Sequence, residues 1–168
     1  RVIFKIAHVL DLHGPSLIAI AKDKWFPRKI TPDPGHFDIV CLNVFMGNYP
    51  VKCYLLTCRV TRSTAIIDTG ANPEAIIQKI RSLNVNPKMI LLTHTHPDHA
   101  GGLGQLDKEF CCPTWVDKIE PRPYGSRDLR LIEEGDSIIL GKLKIETIST
   151  RGHTPGGISF KVNHSVIS

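Results

Sequence analysis

The sequence contains no run of the roughly 18 to 20 apolar residues that a membrane-spanning helix needs. Its best candidate, Leu17 to Ala21, is flanked by Pro15 and Lys22, so no membrane partner is expected. The opening residues lack a basic start, an apolar stretch and a small-residue cleavage site, which reads as a cytoplasmic protein without a signal peptide. Cysteine pairing is also missing. The five cysteines are odd in number and show no C-x-x-C spacing, which fits a reducing compartment. Cys41, Cys53 and Cys58 lie in apolar, strand-like runs and read as space-filling core thiols. Vicinal Cys111 and Cys112 are poorly placed to close an ordinary disulfide. Lys and Arg outnumber Asp and Glu by 21 to 16, yet they form no run and no block interleaved with aromatics. Nucleic acid is therefore not indicated, and a small anionic substrate is the partner this charge favours. There is no short internal repeat and no low-complexity tract.

What is present divides into two parts. Residues 1–34 read as an N-terminal extension or connector: Val2 to Ala21 is apolar but aperiodic, and Lys22 to Gly35 holds Pro27, Pro32 and Pro34. Residues 35–168 read as one regular domain with enough apolar content for a core. Phe37 to Phe45 and Val51 to Cys58 are β-rich runs around a turn signal, Gly47-Asn48-Tyr49-Pro50, and predict a hairpin. Ser63 to Asp68 predicts a third strand. Asn72-Pro73-Glu74 then supplies a helix start, Ile76, Ile77, Ile80 and Leu83 follow at helical spacing, and Asn84 to Pro87 ends the helix. Lys88 to Thr93 fits a buried strand. Further on come a short helix over Gly101 to Phe110 and strands over Thr114 to Lys118, Ser137 to Leu140, Lys142 to Ile148 and Gly157 to Val162. The order implies a layered α/β domain with a mixed sheet.

Residues 94 to 99 read His-Thr-His-Pro-Asp-His at the carboxyl end of the buried strand. At this chain's own composition the pattern arises by chance roughly once in a thousand such sequences. In an extended segment, residues two apart point to one side, so His94 and His96 can present nitrogens to one ion. Asp98 and His99 lie where the chain turns toward a helix and can face a second ion. His153, in the loop Gly152-His153-Thr154-Pro155-Gly156-Gly157, is the best third ligand for the first ion. Three histidines with an open position is the layout of a catalytic zinc site rather than a structural one.

Thr93 to His99 with Gly101-Gly102, the loop Gly152 to Gly156, and Ile66-Ile67-Asp68-Thr69-Gly70 occur in the order that resembles the metallo-β-lactamase superfamily, over residues 36–168. The resemblance implies an αβ/βα sandwich with mixed β-sheets and metals at one rim between them. It implies a glyoxalase II-like hydrolase holding one or two zinc ions, with iron or manganese as alternatives, and using a metal-bound hydroxide to cleave a thioester, ester or lactone. Asp98 would be catalytic, holding or accepting a proton of that water. Asp68 either orients a ligand or only forms the strand-end turn. Gly101-Gly102 would let the backbone pass close to the metals.

Complete members of the family continue with a Gly-Asp motif and a final histidine, and this sequence ends at Ser168, about where that motif is due. The C-terminal part of the sandwich is therefore expected to be missing, and truncation is expected at both ends, with weak metal binding and poor hydrolysis by the piece alone. His164 is not favoured as a substitute ligand, because it falls in a strand-to-strand turn. Arg151 replaces a proline common beside the histidine loop and could meet an anionic group. His99 argues against flavodiiron relatives. The alternatives are a mononuclear iron persulfide dioxygenase, a nuclease of the same fold, and an incomplete non-catalytic domain. The oligomeric state is not legible.

Overall fold

The computed structural model describes residues 2–9, 13–22, 24 and 36–168. The chain divides into two units, Arg1–Thr31 and Pro32–Ser168. In the first, α1 (Val2–Val9) and α2 (Gly14–Ala21) are helices where the sequence shows no clear periodicity. Pro15 sits in the first turn of α2, where a missing N–H costs nothing. A Cβ on Gly14 would lie 2.6 Å from the Phe4 ring, so the two helices meet where there is no side chain. Most of the proline-rich connector expected over 22–35 lies outside the described residues, as does all of 25–35. No described helix is long and apolar enough to cross a membrane.

The second unit begins with the hairpin of β1 (Phe37–Met46) and β2 (Tyr49–Cys58), closed by Gly47 and Asn48 alone. Tyr49 and Pro50, expected in the turn, pair with Met46 and Phe45, because Gly47 at φ +60° reverses the chain within two residues. Then follow β3 (Ser63–Ile67), α3 (Glu74–Leu83), β4 (Asn86–Leu91), α4 (Pro97–Ala100), α5 (Leu103–Phe110) and β5 (Thr114–Asp117). β6 (Leu129–Ile132), β7 (Ser137–Leu140), β8 (Leu143–Ser149), β9 (Ile158–Val162) and β10 (Ser165–Ile167) complete it. A six-stranded sheet runs β1-β2-β3-β4-β5-β6, antiparallel from β1 to β3 and parallel from β3 to β6. A second sheet, β10-β9-β8-β7, is wholly antiparallel.

Side-chain alternation in β3 and β4 explains how these layers stack. Ala65, Ile67, Met89 and Leu91 point into a core shared with Ile138, Leu140, Ile145, Ile158 and Phe160 of the second sheet. Ile66, Ile90 and Leu92 point the other way, against Ile76, Ile77 and Ile80 of α3 and Leu103 and Leu106 of α5. These strands are apolar on both faces because both faces are covered. Each fully buried residue of this size contributes about 1.5–3 kcal/mol. The result is a layer of helices, the mixed sheet, and the antiparallel sheet. On the far side of the antiparallel sheet Ile139 and Val166 are exposed, and no described helix of this unit takes the place of the fourth layer of a full sandwich.

Two features depart from expectation in the cysteines and the strands. Cys53 and Cys58 are buried as expected, but Cys41 is exposed, because β1 is the edge strand and turns that side chain to solvent. β6 was not anticipated: only Ile132 of its four residues is buried, so its periodicity is faint, and parallel pairing with β5 makes it a strand.

Candidate metal centre

The strand ends that converge here are those of the parallel part of the sheet, where loops leaving the carboxyl ends form a natural crevice. β3 delivers Asp68, β4 delivers Thr93 and the histidine run, β5 delivers Glu120, and the loop between β8 and β9 delivers His153. Two contacts hold the loops at this rim: the Asp68 N–H donates to Leu91 O at 2.9 Å, and the Ile158 N–H to Thr93 O at 3.0 Å.

His94, His96 and His153 come together with one ligand atom from each lying within 4.8 Å of the others. His96 Nδ1 and His153 Nε2 are 3.0 Å apart. A tetrahedral zinc ion with Zn–N bonds of about 2.0–2.1 Å keeps its nitrogens about 3.3 Å apart, so this spacing suits a shared ion. His94 is 8% exposed, and its Nε2 is buried with no hydrogen-bond partner, the condition of a nitrogen whose lone pair is reserved for something else. Burial, and next to it the neighbouring His99, push the His94 imidazole below its ordinary value, which keeps it neutral as a ligand must be.

Asp68 sets the tautomers. Its Oδ1 accepts the Thr93 N–H at 2.8 Å, while Oδ2 accepts the Thr93 hydroxyl at 2.8 Å and His99 Nδ1 at 2.9 Å. With its proton given to Asp68, the Thr93 hydroxyl can only accept from His94 Nδ1, 3.1 Å away. In their neutral forms both His94 and His99 therefore carry their proton on Nδ1 and leave Nε2 bare. Asp68 is also at φ +58°, so it forms the turn and orients ligands at once. Burial opposes a charge on His99, but the Asp68 hydrogen bond and the charges of Asp68 and Asp98 outweigh it and raise its pKa.

Asp98 and His99 stand beside the three-histidine group rather than in it. His99 Nε2 is 3.7 Å from Asp98 Oδ2, and its ring centroid is 4.1 Å from that of His94. A cleft of about 170 Å³ opens among His94, His99, His153, Thr154 and Ile158. His164 is exposed in the turn between β9 and β10 and does not join the group. Arg151 is exposed.

A match to the model of the metallo-beta-lactamase superfamily spans residues 46–165. The chain belongs to this superfamily. It is 32% identical over 118 residues to a hydroxyacylglutathione hydrolase of Bdellovibrio bacteriovorus, covering 70% of this chain and 45% of that protein. It is 26% identical over 118 residues to a probable polyketide biosynthesis zinc-dependent hydrolase of Bacillus subtilis, covering 69% and 52%. The chain spans about half the length of the curated relatives it matches. In fold it is similar to the crystal structure of ETHE1 from Myxococcus xanthus, with a TM-score of 0.64 and 21% identity over 76% of this chain and 55% of that one.

Two further residues at this rim take part through close contacts. A Cβ on Gly102 would lie 2.9 Å from Thr69 O and 3.0 Å from Pro73, so this glycine permits a close approach to the loop after β3. Glu120 went unnoticed altogether. It is 6% exposed, its Oε2 accepts the Thr95 N–H at 2.9 Å and the Thr95 hydroxyl at 2.8 Å, and its Oε1 accepts the Gly156 N–H at 3.0 Å. A lone glutamate in a strand-end turn carries no motif, and only the burial of its carboxylate distinguishes it. Beside the centre, Thr95, Pro97, Ala100 and Gly101 form one side of a groove of about 340 Å³ whose other side is Pro121, Arg122, Pro123 and Tyr124.

Proposed function

We propose that this domain carries the metal centre of a zinc-dependent hydrolase that cleaves a thioester, ester or lactone of a small anionic substrate in the cytoplasm. The observation that carries the reading is that His94, whose Nε2 is buried and bare, joins His96 and His153 in a group with one ligand atom from each within 4.8 Å of the others. In this reading His94, His96 and His153 hold the first ion, and Asp98 and His99 contribute to a second. A bound divalent ion supplies a lowered pKa for water, to about 7, and polarises the scissile carbonyl.

The protein's own part is to orient and to hold protons. Asp68 places the proton of neutral His94 and His99 on Nδ1, the first through Thr93 and the second directly. Asp98, a third exposed and next to His99, holds the proton released during hydrolysis. The groove lined by Thr95 and Pro97, which flank His96 in sequence, receives the substrate, and exposed Arg122 on its rim suits a carboxylate group. The names of the relatives support a thioester of a hydroxyacyl group as the first substrate to try. The five unpaired thiols agree with a reducing compartment.

The test is to load the chain with zinc and, separately, with iron(II), and to follow release of a free thiol from a hydroxyacyl-glutathione thioester. Zinc-dependent thiol release supports the proposal. Oxygen consumption with a glutathione persulfide by the iron-loaded chain, and no thioester cleavage by either form, overturns it in favour of a dioxygenase.

A further inference from the structure

We propose that Glu120 is a positioning residue that sets the distance between the two loops carrying the metal ligands, and so the geometry of the ion. The inference rests on His94, His96 and His153 being ligands. Two of them flank Thr95, and the third lies three residues before Gly156. In the extended run after β4, alternate side chains point to opposite sides. His94 and His96 face the centre, while the Thr95 side chain faces away from them and meets the Glu120 carboxylate. One oxygen of that carboxylate takes both donors of Thr95, and the other takes the backbone N–H of Gly156. A single side chain thus spans from the His94–His96 loop to the His153 loop.

The span is rigid at each end. Glu120 is fixed in a turn at the end of β5, where its N–H donates to Asp117 O at 3.1 Å and the Ile119 N–H to Asp117 Oδ1 at 2.8 Å. Asp117 is itself 1% exposed. Gly156 has room for no side chain: a Cβ there would lie 2.8 Å from Glu120 Cγ and 2.9 Å from Glu120 N. The loops also touch through Ile158 N–H and Thr93 O, so Glu120 supplies the second link, and two links fix an orientation that one leaves free. A carboxylate is needed because all three partners are donors. Glutamine at this position offers one acceptor and one donor, so it can serve Thr95 or Gly156 but not both.

The experiment compares native, E120Q and T95A chains for zinc affinity, by competition with a chromophoric chelator, and for the visible absorption of the cobalt(II)-loaded forms. Cobalt bands report coordination geometry, which a role confined to general stability leaves unchanged. E120Q is expected to bind zinc about 10–100-fold more weakly and to shift or weaken the cobalt bands. T95A, which removes one of the three bonds, is expected to move both readouts in the same direction by less, and it carries the test if E120Q does not fold. Affinity and cobalt spectra identical to native in the folded variants overturn the role of Glu120 while leaving the metal centre intact. A native chain that takes up neither metal overturns the metal-centre reading and this inference with it.

Discussion

Replacing Asp68 by asparagine keeps the shape of the side chain and exchanges one acceptor for a donor. Asp68 accepts three hydrogen bonds, two of them on Oδ2. If the new NH2 takes the Oδ2 position, it donates to the Thr93 hydroxyl, which must then donate to His94 Nδ1, and the His94 proton moves to Nε2, the ligating nitrogen. The same NH2 faces His99 Nδ1, which has to give up its proton to Nε2 as well. If the amide flips instead, the NH2 meets the Thr93 N–H, and two buried donors are left facing each other. The flipped arrangement costs about 1–3 kcal/mol for the facing donors, and the first puts a proton on the ligating nitrogen of His94. Loss of an outer partner of a ligating histidine weakens metal binding about 10–100-fold, or ~1.4–2.8 kcal/mol. D68N is therefore expected to lose zinc affinity by that factor in chelator competition. Zinc affinity equal to native in a folded D68N would refute the tautomer argument, because the charge and both tautomer contacts are gone in that variant.

Other consequences are simpler to state. R122E places a negative charge on the groove rim without touching the histidines; KM for an anionic thioester should rise while kcat and zinc content hold, and an unchanged KM would remove Arg122 from substrate recognition. Ile66, fully buried on the helix-facing side of β3, should cost about 2–5 kcal/mol when cut to alanine, read as a fall in denaturant midpoint at constant m-value. A loss well under that range would mean the helix layer packs more loosely than the structure indicates.

Much of the architecture is legible because its signals are local. The isoleucines of α3 repeat at helical spacing, and the left-handed Asn84 that ends the helix is the residue type for that conformation. β3 and β4 announce themselves through Ala65-Ile66-Ile67 and Met89-Ile90-Leu91-Leu92, apolar on both faces because both faces are covered. The histidine cluster is equally plain, because three of its members lie within six residues and His153 sits in a loop of recognisable composition. What escapes the sequence depends on contacts across the fold. β6 is a strand only because β5 pairs with it. The paired roles of Asp68, turn and tautomer control, separate only when Thr93 and His99 are seen on the same oxygen. Glu120 acts between segments 25 and 36 residues away, and no pattern in its own neighbourhood announces that.

The central claim is that His94, His96 and His153 hold one ion, and zinc titration of the native chain beside four single variants tests it most directly. The account predicts saturable uptake by the native chain, a loss of at least about 100-fold in affinity for H94A, H96A and H153A, as removal of a direct ligand should exceed the 10–100-fold of an outer partner, and native affinity for H164A. Native affinity in any of the first three, or a loss in H164A as large as theirs, would contradict it.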